Sequence, residues 1–202
     1  MKRAWMRFWL CASVLAASLL ALGEPLRSGA QSPDTPKRAN ELSLAGLRPG
    51  KDALAAAKKR FGVAHLLPDK STADKTKVWV DNCTGRSLSV ELNEKGMIQS
   101  LTAGLLSAGS ADCSGNLERH SSIRTDNLKT GRGLRLGDPR DRVVELYGEP
   151  NSSGPSEKGS QELELLFYMF DWAGSDVPQV MEIFCDRATG RVVEMTLAFP
   201  SL

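Results

Sequence analysis

Four cysteines, two histidines and scattered carboxylates are the side chains of this 202-residue chain with the chemistry to react or to ligate. Cys11 sits inside an apolar N-terminal run. The other three, Cys83, Cys113 and Cys185, can form one disulfide if the chain reaches an oxidising compartment. We expect Cys83 to pair with Cys113, because both fall at accessible edges, one after a strand-like run and one in a polar connector. Closing a loop of about 30 residues would contribute roughly 3 to 4 kcal/mol. Cys185 alternates with Met181 and Ile183 and reads as a buried apolar thiol.

Metal binding needs several ligands converging, and His65 and His120 each lack a His or Cys at zinc-site spacing. Ser121 and Ser122 beside His120 make no triad by adjacency, and no Gly-x-Ser-x-Gly elbow is present. Gly131-Arg-Gly-Leu-Arg-Leu-Gly137 resembles a nucleotide loop, but its spacing is off by one and no apolar strand precedes it, so a turn into a helix is expected. Asp171 and Glu182 have nothing in the sequence to fix their separation as a catalytic pair. No catalytic residue, cofactor or metal is therefore expected. Asn82-Cys-Thr84 and Asn151-Ser-Ser153 fit the glycosylation pattern, which matters only on a eukaryotic secretory route.

The run Phe167-Tyr-Met-Phe-Asp-Trp172 is the surface candidate. Alternation puts Phe167 and Met169 on one side and Tyr168, Phe170 and Trp172 on the other. One side must pack on a helix; the second is either an interaction surface built from Tyr168, Phe170 and Trp172 or an internal interface.

What positions these residues starts with an export signal. Lys2, Arg3 and Arg7 precede the uncharged run Phe8 to Leu22, and polarity returns at Glu24; this is the order of a secretory leader. The run is 15 residues, shorter than the ~20 that span hydrocarbon. Cleavage is expected at Gly23 or, preferably, Ala30, and no Cys is placed for lipidation. Losing Lys2, Arg3, Arg7, Arg27 and Glu24 turns the net charge of +2 into −1, with 22 positive and 23 negative groups remaining. That near-neutral balance argues against nucleic acid as a partner, and no other segment is long and apolar enough for stable membrane insertion after cleavage. A secreted or periplasmic location follows.

Two stretches then read alike, Gly46-Leu-Arg-Pro-Gly to Phe61-Gly62 and Gly133-Leu-Arg-Leu-Gly to Tyr147-Gly148. Each opens on Gly-Leu-Arg-x-Gly and continues as an amphipathic helix closed by an aromatic and a Gly. Leu54, Ala57 and Phe61 share one face of the first helix; Val143, Leu146 and Tyr147 share one face of the second, with Asp138 as cap, Pro139 at the first position and Gly148 as the left-handed stop. Strand patterns follow at Lys77 to Asp81, around Leu88, Val90 and Leu92, and at Met97 to Ala103. In the second copy they run over Leu163 to Trp172, Val180 to Cys185 and Arg191 to Phe199. Asn151 to Gln161 is expected to be a polar loop. The pattern predicts an α+β chain of two tandem units, each one helix packed on a three- or four-stranded antiparallel sheet. Signal peptide 1–30, linker 31–41, first unit 42–105, connector 106–127 and second unit 128–202 complete the plan.

Gly-Leu-Arg-Leu-Gly-Asp, a helix ending Tyr-Gly-Glu-Pro, aromatic strands and a final Gly-Arg-Val-Val resemble the small exported modules of the SmpA/OmlA type and the related tandem beta-lactamase-inhibitor-like fold. The resemblance covers Gly133 to Phe199 and, more loosely, Gly46 to Ala103. It implies a helix-covered antiparallel sheet that binds other proteins without catalysis; the lipidated Cys of the outer-membrane assembly members is missing here. The expectation is a non-catalytic, exported protein-binding module whose partner is another protein. The alternative is an exported hydrolase with a carboxylate site between the two units, and a third option is a structural envelope protein.

Overall fold

Period-two alternation makes a strand, and short turns between successive strands leave antiparallel pairing as the way to satisfy their backbone groups. The computed structural model describes residues 40–64, 75–81, 84–106, 127–170 and 179–199, all within the compact unit Pro36–Leu202. In it helix α1 (Leu54–Phe61) precedes strands β1 (Thr76–Asp81), β2 (Arg86–Leu92) and β3 (Ile98–Leu105). Helix α2 (Arg140–Tyr147) precedes β4 (Ser152–Lys158), β5 (Gln161–Phe170), β6 (Gln179–Asp186) and β7 (Val192–Ala198).

The predicted pair of separate units is overturned. All seven strands belong to one antiparallel sheet of order β1-β2-β3-β7-β6-β5-β4. What looked like two sheets are two halves of one, because β3 and β7 pair over Ser100 to Gly104 and Glu194 to Ala198. Alternation specifies strands, while the joining of two edges depends on backbone groups that every residue carries.

The halves repeat one another bond by bond. Arg48 N donates to Asp52 Oδ2 at 2.8 Å and Arg135 N to Asp138 Oδ2 at 2.8 Å. Gly50 N reaches Ile98 O and Gly137 N reaches Val192 O, both at 2.7 Å; Ile98 N and Val192 N return to Asp52 O and Asp138 O, both at 2.9 Å. Gly62 and Gly148 end the helices at φ 80°, ψ −152° and φ 74°, ψ −169°, a region open essentially to glycine alone. Onto their carbonyls the sheet sends Trp79 Nε1 at 3.2 Å and Tyr168 OH at 3.1 Å. Ile98 and Val192 being equivalent, so are Thr102 and Thr196, which pair directly. A local two-fold axis therefore passes between them.

Both helices cover the same face of the sheet. Trp79, Leu88, Val90, Leu101, Ala103, Leu197, Met195, Ile183, Met181, Leu166 and Tyr168 lie in register along it and are all buried. Ala57 and Phe61 of α1, and Val143 and Tyr147 of α2, complete that core, with Leu54 and Leu146 packed at its margin. The small Ala57 lets α1 approach closely, and Phe61 meets Trp79 with ring centroids 6.0 Å apart.

Two local expectations are corrected. Pro139 occupies the cap position of α2 and Asp138 makes no cap bond there; its carboxylate folds back on Arg135 N, and Arg140 N is satisfied by Gly190 O at 2.9 Å. The expected loop over Asn151 to Gln161 contains β4, paired with β5 from Ser152 to Lys158. An edge strand exposed on both faces needs no apolar alternation and tolerates Pro155.

Candidate functional site

The segment before α1 crosses to the second half of the fold and ends in a buried carboxylate. Leu44 bridges Thr130, Ala45 N donates to Lys129 O at 2.9 Å, and Gly131 N donates to Ser43 O at 2.9 Å. Glu41, 1% exposed, is saturated with donors. Its Oε1 accepts from Ser43 N at 3.0 Å and Gly131 N at 2.9 Å; its Oε2 accepts from Arg132 N at 3.1 Å and from the Tyr147 hydroxyl at 2.8 Å. Successive backbone N–H groups of a turn form an anion-binding concavity, so the glycine-rich Gly131 to Gly137 segment does cradle an anion, and that anion is the chain's own Glu41. A Cβ on Gly131 would come within 2.5 Å of Glu41 Oε1, which restricts this position to glycine.

Tyr147 OH also lies 2.6 Å from Thr130 Oγ1. A phenol has one proton and a carboxylate only accepts, so Tyr147 donates to Glu41 and the Thr130 hydroxyl donates to Tyr147. Thr130 Oγ1 accepts in turn from Leu134 N at 3.1 Å. Burial pushes the Tyr147 phenol far above its usual range, and the neighbouring Glu41 charge adds to this. Arg132 stacks over the Tyr147 ring at 5.5 Å and donates to Leu146 O at 2.8 Å. In this clamp the side-chain oxygens of Glu41, Thr130 and Tyr147 are all spent on other parts of the chain. Chemically it can hold the strap in place and offers no free nucleophile or base.

The opposite face of the sheet carries no helix among the described residues. The register puts Val78 and Val80, then Ser87, Ser89 and Glu91, then Ser100 and Thr102, on it. Glu194, Thr196 and Ala198 continue it, followed by Val180, Glu182 and Phe184, then Leu163, Leu165, Phe167 and Met169. Leu165, Phe167 and Val180 are half-buried and Met169 is 45% exposed. Lys158 pairs with Glu194 and stands over the Phe184 ring at 4.5 Å. Glu91 accepts from Ser100 Oγ at 3.0 Å.

Of the two readings left open for Tyr168 and Phe170, an interaction surface or internal packing, the first is overturned. Tyr168 and Phe170 are 0% and 1% exposed: their rings stack 6.2 Å apart and both meet Tyr147 of α2, at 5.7 and 6.1 Å. They are core rather than interaction surface, and it is Phe167 and Met169 that face outward. Trp172 lies outside the described residues, as do Cys83, Cys113, His65, His120 and Asp171. Cys185 is a free thiol in the core, with its pKa pushed up to about 11 by burial first and by the Glu164 charge second. Glu164 itself is held by Arg140 Nε at 2.9 Å. Glu41 went unnoticed because it precedes the repeated motif; its one signal was an acidic residue close before an apolar turn.

No protein-family model matches the chain, and no curated protein matches it. Among solved structures, the crystal structure of a DUF4309 family protein (YjgB) from Bacillus subtilis is similar at 10% identity, with a TM-score of 0.46, covering 79% of this chain and 88% of that one. These comparisons add nothing to the resemblance to SmpA/OmlA-type modules, which rests on the Gly-Leu-Arg-Leu-Gly-Asp pattern.

Proposed function

We propose that this chain is an exported, non-catalytic protein-binding module of the cell envelope or the secreted fraction, and that it works through the open face of its sheet. The observation that carries the reading is the asymmetry of that sheet. One face is sealed by α1, α2 and the Glu41 strap, while the other leaves Leu165, Phe167, Val180 and Met169 in partial contact with solvent. Contiguous apolar groups left at a surface favour association. The leader-like start, Lys2 to Leu22, supports export. Among the described residues no helix is long and apolar enough to cross a membrane.

A photo-reactive amino acid placed at Met169, and separately at Asp141 on the exposed side of α2, tests the reading in the producing cell. A discrete adduct from position 169, absent from position 141 and lost in Phe167→Asp protein of unchanged melting temperature, is the expected result. Equal adducts from both positions, or none from 169, would remove the open face as the contact surface.

A further inference from the structure

The open face has a charge sign, and it selects the partner. Among the described residues its ionisable groups are Glu91, Glu182, Asp186, Glu194 and Lys158. Lys158 is committed to Glu194 and Asp186 accepts from Gln161 and Thr189, so no cation among the described residues of this face is left over to answer Glu91 and Glu182. Glu182 lies between Phe167 of β5 and Thr196 of β7. It is half-buried, with no ion pair or hydrogen bond to its carboxylate among the described residues. A carboxylate part-withdrawn from water beside an aromatic ring interacts more strongly with an added charge than one in bulk solvent.

A second copy of the chain is a poor occupant. Laid face to face, two copies would oppose four carboxylates with four carboxylates and bring only the already engaged Lys158 from each side; like charges across an interface select against a partner.

Resting on the reading above, we infer that the open face takes a polypeptide segment carrying Lys or Arg between apolar side chains, with its cation on Glu182 and its apolar groups on Phe167, Met169 and Val180. Main-chain strand addition is not required, because the contact is made by side chains on a face and not at an edge.

The probes are three synthetic peptides of about ten residues, the length that crosses a sheet of this kind. One alternates Lys with Val, one Glu with Val, and one Lys with Ser; each is titrated calorimetrically into the full chain. The Lys/Val peptide binds, weakens as salt is raised, and loses about tenfold in affinity against Glu182→Gln, while Glu182→Lys shifts the preference to the Glu/Val peptide. Equal binding of Lys/Val and Glu/Val, equal binding of Lys/Val and Lys/Ser, or indifference to both Glu182 variants overturns the inference. If the position-169 adduct survives in Glu182→Lys protein, the basic partner is wrong and the binding face stands. If that adduct never forms and no peptide binds, both fall together.

Discussion

The hydroxyls of Thr102 and Thr196 share a hydrogen bond of 2.9 Å across the β3 and β7 pair. They are equivalent residues of the two halves, meeting on the local two-fold axis where one half of the sheet becomes the other. The segments leading into α1 and α2 also meet one another, where Leu44 bridges Thr130.

Replacing either threonine by valine keeps the strand-favouring branch and strands the other hydroxyl, which water partly rescues because the pair is only part-buried. Each single change should cost about 0.5 to 1 kcal/mol. The double change should cost less than the sum of the singles, since the unpaired group disappears with it. Urea unfolding of the four proteins of the cycle measures the coupling.

Glu41→Ala takes the acceptor from the Tyr147 hydroxyl and from the N–H groups of Ser43 and Arg132, while the Gly131 N–H keeps Ser43 O. A loss of about 3 kcal/mol is expected, and Tyr147→Phe should lose about 1 to 2 kcal/mol. The two losses should be strongly non-additive. Chemical denaturation followed by far-ultraviolet circular dichroism checks both, and additive losses would show that the clamp is not a single network.

Tyr168→Phe deletes the hydrogen bond to the Gly148 carbonyl without opening a cavity, a cost of about 1 kcal/mol. Trp79→Leu removes the equivalent bond to Gly62 together with ring packing on Phe61, and should cost about 3 kcal/mol or more. The melting temperatures should fall in that order. A fall after Tyr168→Phe as large as that after Trp79→Leu would mean that the two helix ends are not held alike.

Alkaline pH should destabilise the fold. Cys185 is raised from 9.0 to about 11 in the folded chain and Tyr147 is raised above its usual value near 10. Groups with raised folded values contribute stability that is complete below their unfolded values and lost as pH rises through the folded ones. Stability should therefore decline from about pH 9 upward, and Cys185→Ala should flatten the part of the slope between pH 9 and 11. Asp186 acts on the acid side: bonds from Thr189 and Gln161 hold its carboxyl below the usual range. Its contribution is present above the unfolded value and disappears as pH falls through the lowered one. Melting temperatures recorded across the pH range, for the natural chain and the Cys185 and Asp186→Asn variants, provide the check.

Both helices could be read from the sequence because their apolar positions have only one face to bury and their terminal glycines, Gly62 and Gly148, adopt a conformation that other residues avoid. Strands β2, β3, β5, β6 and β7 were readable from alternation. β4 was not, since Ser152 to Lys158 buries no side chain completely and so carries no periodic signal. Nor could alternation say which side of β5 met α2: Phe167 and Met169 are as apolar as Tyr168 and Phe170. The choice was made by Tyr147, whose ring fills the space over the latter pair, and that contact spans many residues in sequence. The meeting of β3 and β7 is written in backbone groups, and the clamp in a carboxylate whose donors lie some 90 positions away. Neither leaves a local pattern.

Because β7 follows the other six described strands along the chain yet lies in the middle of the sheet, the sheet is built like an arch whose keystone is delivered after its flanks. A stop codon just before Val192 would not trim a rim. It would leave β3 and β6 as two bare edges facing each other across a missing strand, each ready to pair with whatever chain comes next.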